Sequence, residues 1–291
     1  MATATDNNEA ATSFAQSIAS LPPLPAVAQE ILTCFGDEFI DAAKVASVVE
    51  GDPGICAKLL GLSNSAYFGL AEPVNTIGEA ISRVLGVDTV RSLVLAMAIA
   101  QSFNSKDCPA FGAQRFWLQS LLTAECCKKI AAVDKSADDA TRDLAYSAGL
   151  CHNIGLMLLA HLEPVRTNTV LLAHRDQDDP GGLSRGFMAE FATDHRNMTS
   201  ELARIWSLPA PMLAAYRYRA YDDLEADERL GLIITAGIVA VENVDAEEDQ
   251  RINLEDLARS LELDVDTLQN TAVIGERRSE RVQSLASNMT A

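Results

Sequence analysis

The chain has 291 residues, of which 48% are hydrophobic, and its 41 acidic against 23 basic residues give a formal charge of −18. This apolar content excludes a disordered or fibrous chain, and the length allows one large domain or two modest ones. A negative surface repels a phosphate backbone, which proteins bind through clustered Lys and Arg. A general nucleic-acid coat is therefore excluded, and nucleic acid is a disfavoured partner.

No segment has the pattern of an export signal or a membrane span. The first basic residue is Lys44, so the N-terminus lacks the basic region of a secretory or transit signal. The longest apolar runs, residues 93–100 and 230–241, reach roughly half of the ~20 residues that a bilayer span needs. The six cysteines show neither a CxxC pair nor zinc-ligand spacing, which favours reduced, buried thiols. We therefore expect a cytoplasmic protein with no membrane partner.

Three helices are predicted in the first part of the chain. Residues 1–20 are small and polar and are expected to form a loose N-terminal arm. The Leu-Pro-Pro-Leu-Pro stretch from Leu21 predicts an extended entry, after which apolar residues recur at helical spacing. Asp41 and Asp52 each precede a further helical pattern and are typical N-cap residues, and Pro53 follows at the first helical position.

Two more helices complete this N-terminal unit. Thr76 and Glu79 have the spacing of a capping box, and the helix that they begin is predicted to end at Gly86. Asp88 is predicted to cap the next helix, which is apolar on nearly every side and should lie at the centre of a helical cluster. Together the five helices predict a compact all-α unit over residues 21–105.

The second half is also predicted to be helical. Amphipathic patterns cover residues 111–133, 144–162, 165–174, 187–206 and 227–244. No alternation of apolar and polar residues typical of strands is present, and no repeat of 20 to 50 residues is apparent. This pattern predicts an all-α fold, with a second helical unit over residues 106–244 and an acidic helical tail over residues 245–291.

All four histidines lie in the second half of the chain: His152, His161, His174 and His195. An isolated histidine on a helix is more often a structural residue than a ligand. Only His152 has a suggestive context, because small residues surround it and close backbone packing would place its ring beside the amide of Asn153.

A cysteine pair is a weaker candidate for chemistry. Cys126 and Cys127 are followed by two lysines, whose charge would lower a thiol pKa. A helix with two buried cysteines beside solvated lysines explains the same pattern equally well.

Residues 148–155, Ala-Gly-Leu-Cys-His-Asn-Ile-Gly, resemble the Gly-Leu-Leu-His-Asp-Ile-Gly-Lys helix of the HD superfamily. That resemblance implies metal-dependent phosphohydrolases, whose adjacent His and Asp both ligate metal. In this chain Asn153 takes the place of the Asp and Leu156 that of the Lys. An amide is a poor replacement, because it lacks the negative charge that offsets dehydration of a hard divalent cation.

Motifs of the first half point to one branch of that superfamily. Five stretches follow in order: Leu-Pro-Pro-Leu-Pro at 21–25, Asp-Pro at 52–53, Ala-Lys-Leu-Leu at 57–60, Asn-Ser-Ala-Tyr-Phe-Gly at 64–69 and Thr-Ile-Gly-Glu-Ala-Ile at 76–81. The series closely resembles the HDOD domain, the HD-related output domain of bacterial signalling proteins, over about residues 21–244. The resemblance implies an N-terminal unit of five or six helices packed on a degenerate HD-like helical bundle.

The resemblance also implies that the metal site is degenerate. Where catalytic relatives have a His after the tryptophan and a His-His pair after Leu-Pro, this chain has Gln119 and Arg219-Ala220. Of the ligand set only His152 and His195 remain, whereas a hydrolytic site needs three or more protein ligands plus a water position. We therefore predict no catalytic residue, no metal, no cofactor and no enzymatic activity.

The vestigial pocket has six candidate lining residues: Gln119, His152, Asn153, Glu190, His195 and Arg219. Arg219 would place a fixed positive charge where a metal ion was, and would pair with Glu190 or hold an anionic ligand. A structural ion pair or a solvated arginine is the favoured alternative, because a desolvated Arg usually demands an internal acid.

Three functions remain open from the sequence. The resemblance implies regulation in bacterial signal transduction through contact with a separate signalling protein, without turnover. One alternative is hydrolysis of a nucleotide or cyclic dinucleotide at an unusual site that uses His152 and His195. The other is nucleotide binding without cleavage in the vacated pocket.

The negative charge is concentrated near the C-terminus. Residues 222–266 hold 15 acidic and three basic residues, so this segment carries −12 of the total −18. A solvated surface that keeps the protein soluble explains this charge better than a docking strip for a basic partner.

Overall fold

The computed structural model describes residues 21, 23–35, 41–174, 181–217, 229–245, 251–276 and 279–290. In these residues all regular secondary structure is helical, and no strand occurs. The all-α prediction is therefore confirmed.

The N-terminal unit contains the predicted helices: α1 Ala26–Leu32, α2 Ala42–Glu50, α3 Pro53–Ser63, α4 Ile77–Glu79, continued as a π-helical stretch over Ala80–Leu85, and α5 Val87–Gln101. Three predicted caps are confirmed. The Asp41 carboxylate accepts from the N–H of Ala43 at 2.9 Å, and Asp52 caps α3 in the same way. Thr76 Oγ1 accepts from the N–H of Glu79 at 3.2 Å. These caps form because each acceptor satisfies an N–H group that has no partner within the helix.

The helix α5 lies at the centre of this unit, as predicted, since every residue from Val90 to Ile99 is buried. The prediction that Asp88 caps α5 is wrong. The chain turns through Gly86 at φ +79°, so the helix begins before Asp88 is reached. Asp88 instead pairs with Arg91 at 2.7 Å.

The loop between α3 and α4 is held closed by one side chain. Asn64 donates through Nδ2 to the carbonyl of Val74 at 2.8 Å and accepts from the N–H of Val74 at 2.8 Å. This double hydrogen bond fixes the positions of Tyr67 and Phe68, which lie inside the loop.

The second part of the chain forms the larger bundle: α6 Ala113–Val133, α7 Asp139–Cys151, α8 Ile154–Leu162, α9 Pro164–Ala173, α10 Gly182–Phe191, α11 His195–Ile205, α12 Ala210–Arg217 and α13 Arg229–Asp245. The long helix α6 packs against both α7 and α13. The contact between α5 and α7 joins the N-terminal unit to this bundle.

Two predicted continuous patterns are each interrupted. Residues 144–162 form α7 and α8 with a break at His152 and Asn153, and residues 187–206 form α10 and α11 with a break that includes Ala192 at φ +55°. Apolar residues keep their helical spacing across both breaks, so periodicity could not reveal them.

The C-terminal segment adds three helices: α14 Glu255–Ser260, α15 Val265–Glu276 and α16 Ser279–Thr290. Leu257 and Leu261 are buried, as the amphipathic pattern predicts, and so are Leu285 and Met289. The last helix packs against α6 and also against α3. These three helices therefore pack on the core, while the domain boundaries themselves stay predictions.

By length and apolarity, no single helix among the described residues qualifies as a membrane span. One pair, Ile77–Leu85 with Val87–Gln101, passes that test when joined, although its two parts are bent by 119°.

Candidate functional site

The candidate site is centred on the break between α7 and α8, where His152 and Asn153 are placed by close helix packing. A Cβ added to Gly149 would lie 2.9 Å from the Cα of Ala124 in α6. A Cβ added to Gly155 would lie 2.0 Å from the carbonyl oxygen of His195 in α11. The two glycines therefore allow α7 to approach α6 and α8 to approach α11, so four helices meet around the His152–Asn153 break.

The imidazole of His152 is held in one state. Its Nδ1 lies 2.7 Å from the carbonyl oxygen of Gly149, and since a carbonyl only accepts, Nδ1 carries the proton. The pKa of His152 is lowered to about 4, mainly by burial and to a smaller extent by the positive charge of Arg196, while the Gly149 hydrogen bond opposes this shift. The ring is therefore neutral at pH 7, and its Nε2 has a free lone pair.

Thr199 connects the backbone of His195 to that of His152. His195 is the first residue of α11 and is buried, and its ring lies 5.6 Å from that of Phe187 between centroids. Thr199 Oγ1 lies 3.1 Å from the carbonyl oxygens of both His152 and His195, and it accepts from the N–H of Gly155 at 3.0 Å. Sequence reasoning missed Thr199, because no local motif marks a hydroxyl that joins segments 44 residues apart.

Asn153 supplies the third candidate group of the site. Its Oδ1 is buried and accepts no hydrogen bond from the part of the chain that the structure describes. An amide oxygen without a donor carries a free energy cost, so a donor on a ligand would be favoured at this position.

Glu190 pairs with an arginine, and within the described part of the chain it forms no hydrogen bond with His152. It accepts from Arg166 Nε at 2.7 Å, and the same arginine donates to the Glu190 carbonyl and stacks on Phe191 at 4.1 Å. The expected pair between Glu190 and Arg219 involves Arg219, which lies outside the described ranges. Within those ranges the charge partner of Glu190 is Arg166.

Gln119 lies in the first half of α6, next to the buried Ser120, and is partly buried. Among the described residues no hydrogen bond joins it to His152 or His195. The structure thus brings together His152, Asn153 and His195 from the predicted set.

The cysteine pair does not have the activated thiol that one interpretation allowed. The pKa of Cys126 is raised to about 11 because burial outweighs the opposing charge of Lys129, and burial raises the pKa of Cys127 well above its usual range. The thiols lie 3.6 Å from the carbonyl of Thr271 and 3.7 Å from that of Ile233. The activated-thiol interpretation is wrong because both sulfur atoms face the protein interior.

The model of the HDOD domain family matches residues 21–221. The chain belongs to the HDOD domain family. The match covers both the N-terminal helices and the His152 region, so the resemblance inferred from the motifs is confirmed.

A related sequence and two solved structures place this HDOD chain among distant relatives. It is 24% identical over 214 residues, 74% of its length, to an uncharacterized protein of Treponema pallidum (strain Nichols), of which it spans 40%. A candidate signal transduction protein of Marinobacter aquaeolei VT8 aligns with TM-score 0.82 and 21% identity, over 98% of this chain and 67% of that one.

A candidate phosphohydrolase of Shewanella amazonensis SB2B aligns with TM-score 0.71 and 22% identity, over 95% of this chain and 98% of that one. Because these structures are only 21% and 22% identical to this chain, they establish its fold and not its activity.

The HD superfamily implies a metal ion at the His-Asp position, and the residues of this HDOD chain do not fit one. Among the described residues no group of three or more His, Cys, Asp or Glu side chains is placed to hold a metal ion. The position of the metal-binding carboxylate holds the amide of Asn153, and Asp194 accepts from the N–H of Asn197 at 2.7 Å as the cap of α11.

Proposed function

We propose that this HDOD chain is a non-catalytic regulatory protein of signal transduction that acts through contacts with a separate signalling protein. The observation that carries the proposal is the donor set at the α7–α8 break. Two imidazoles and one amide oxygen, from His152, His195 and Asn153, supply no negative charge toward a divalent cation. A hydrolytic site needs that charge and a third strong ligand to bind the cation and activate its water.

An exposed apolar surface supports the protein-contact part of this proposal. Val165 and Leu172 lie two turns apart on one face of α9, with 76% and 52% of their surface exposed. Met188 of the neighbouring α10 is 47% exposed. Apolar side chains grouped on two adjacent helices are typical of a protein-binding surface.

The absence of turnover is tested with the purified full chain. Bound metal is measured by elemental analysis, and hydrolysis of mononucleotides and cyclic dinucleotides is assayed with Mg, Mn and Fe. We expect substoichiometric metal and no turnover. Stoichiometric bound metal together with turnover would overturn the proposal.

The partner contact is tested by crosslinked capture from native cells with the wild type and Leu172→Glu. A partner that binds the α9–α10 surface is expected to be lost from the variant. Val133→Glu, which changes an apolar residue 46% exposed on α6, is the matched control and is expected to retain it. Equal capture by all three proteins would contradict this assignment of the surface.

One observation favours a second function, nucleotide binding without cleavage. The buried Oδ1 of Asn153 lacks a donor among the described residues, and the charge of Arg196 reaches the adjacent His152. A nucleobase amino group and a phosphate would satisfy this pair of features. Binding of a labelled nucleotide is expected to weaken in Arg196→Ala, and equal weak binding by the wild type and this variant removes this alternative.

A further inference from the structure

A second cavity, of about 350 Å³, lies where the N-terminal unit meets α6, α7 and α16. Its size is within the range of small-molecule sites. The polar and aromatic residues of its lining are Tyr67, Phe68, Thr89, Glu125, Lys128 and Tyr146. This cavity shares no residue with the His152 site.

One side of the cavity is aromatic, and its residues come from the most specific motif of the sequence. Tyr67 and Phe68 belong to the Asn-Ser-Ala-Tyr-Phe-Gly stretch, and their rings meet edge to face with centroids 4.8 Å apart. The double hydrogen bond from Asn64 to Val74 holds their loop in place. The His152 site uses none of these residues, so the motif has no role in the proposed function.

The charged groups of the cavity lie side by side on one helix. Glu125 and Lys128 are three positions apart on α6, a spacing that brings their Cβ atoms to about 5–6 Å. The Lys128 ammonium lies 5.7 Å from the centroid of the Tyr146 ring. Neither charge forms an ion pair within 4.0 Å among the described residues, so a carboxylate and an ammonium both remain available to a ligand.

Tyr146 adds a hydrogen-bond donor to this group. It is 7% exposed, and burial raises its pKa well above the usual range, with the charge of Glu125 raising it further. The phenol therefore stays protonated at neutral pH and can donate to a carboxylate beside Lys128.

We propose that this cavity binds a free α-amino acid with an aromatic or branched apolar side chain. Its carboxylate would meet Lys128 and Tyr146, its ammonium Glu125, and its side chain the ring of Phe68. The two charges of an α-amino acid sit on one carbon, which matches partners that are one helical turn apart. An uncharged ligand would desolvate both protein charges without compensation.

An amino acid bound in this cavity would be a chemical input to the proposed signalling function. The role of this ligand as a signal rests on the proposed function, whereas its binding requires neither a partner nor a metal. Because the cavity joins both units and α16, an occupied cavity would favour their packed arrangement over alternatives.

Calorimetry of the purified full chain tests the proposal with phenylalanine and leucine as probes. The comparison ligands are 3-phenylpropanoate, which lacks the ammonium, and phenethylamine, which lacks the carboxylate. Phenylalanine or leucine is expected to bind, and each single-charge analogue of phenylalanine to bind at least tenfold more weakly than phenylalanine itself. Equal binding of 3-phenylpropanoate and phenylalanine would overturn the proposal in favour of a simple anion site.

Two substitutions at partly exposed residues each remove one of the two charges and leave the buried core unchanged. Glu125→Gln is expected to weaken phenylalanine binding at least tenfold and to leave 3-phenylpropanoate unchanged, whereas Lys128→Met weakens both. Lys129→Met, which lies outside the cavity lining, is the matched control and keeps wild-type affinity. Circular dichroism verifies that each variant is folded.

Unchanged binding in Glu125→Gln and Lys128→Met would overturn the proposal, and so would the absence of binding by either amino acid. In both cases a negative metal and hydrolysis result would still leave the proposed function standing, so the two failures are distinguishable.

Discussion

Gly155 controls how closely α8 approaches α11. Its Cα position leaves no room for a methyl group, because an added Cβ would lie 2.0 Å from the His195 oxygen and 2.4 Å from the Thr199 nitrogen. Both obstacles are backbone atoms, which cannot rotate away. We predict that Gly155→Ala lowers the free energy of unfolding by about 3 kcal/mol, measured by urea denaturation.

The matched control is Gly61→Ala, in the interior of α3. A Cβ there meets nothing within 4 Å, so this change is expected to be neutral or to stabilise by about 0.5–1 kcal/mol. Equal stability of Gly155→Ala and the wild type would show that α8 and α11 can separate at no cost.

The partly buried His152, whose pKa burial lowers, makes stability depend on pH. Its pKa is about 4 in the folded protein against an ordinary value of 6.5. Above pH 6.5 the ring is neutral in both states, and its contribution to stability is fully present. As the pH falls from 6.5 to 4, only the unfolded state binds the proton, so the free energy of unfolding falls by at most about 3 kcal/mol.

This pH dependence is measured by urea denaturation of the wild type and His152→Gln at pH 7.5 and pH 5. The wild type is expected to lose more stability between the two pH values than the variant does. His161→Gln, which keeps His152, should lose as much as the wild type. If all three lose the same amount, His152 does not titrate as described.

At the scale of helices, one ion pair connects three elements. Asp134, at the end of α6, has a side chain with no exposed surface and accepts from Arg229 of α13 at 2.6 and 2.7 Å. Arg229 also donates to the carbonyls of Ser260 and Leu261, at and just beyond the end of α14, at 2.9 Å each. The two side chains therefore fix the start of α13 and the end of α14 against α6.

We predict that Arg229→Met lowers the free energy of unfolding by about 3–5 kcal/mol, because it leaves the buried Asp134 carboxylate without its charge partner and with only the N–H of Ser136 as a donor. Denaturant unfolding measures this loss. Arg259→Met breaks a pair with Asp256 in which both side chains are 76% exposed, and it is expected to change stability by less than about 1 kcal/mol. Similar losses in both variants would contradict the special role of the buried pair.

Local signals predicted the elements well where a cap or a proline marks them. Asp41, Asp52 and Thr76 each cap the helix that follows, because a cap depends only on residues within one turn. Asp88 was misassigned as a cap because the positive φ of Gly86 decides where α5 begins. The break at His152 was missed because it results from the contact between α8 and α11.

At the scale of the whole molecule, α16 joins the two helical units. Asn288 Nδ2 donates to the carbonyl of Gly61 in α3 at 3.2 Å, and Gln114 Nε2 of α6 donates to Ser287 Oγ at 3.0 Å. Leu285 of the same helix is buried and lines the second cavity. The C-terminal segment therefore covers the junction between the units.

We predict that a chain ending at Val244 is strongly destabilised, because it would expose the apolar surface of α6 that α15 and α16 cover. Thermal unfolding followed by circular dichroism should show a lower melting temperature and a broader transition. A chain lacking residues 1–20, which lie outside the described ranges, serves as the comparison. An unchanged melting temperature after truncation at Val244 would show that the last helices are dispensable.

The sequence alone determined the helical class, most helix starts, the HDOD family and the candidate residues His152, Asn153 and His195. Each of these depends on local spacing or on a contiguous motif. The tertiary structure alone decided that Thr199 joins the histidine segments, that Arg166 pairs with Glu190, that Asp134 meets Arg229 across 95 positions, and that the described C-terminal helices pack on the core. These contacts depend on which helix faces meet in space, and a one-dimensional pattern of polar and apolar residues does not specify that pairing.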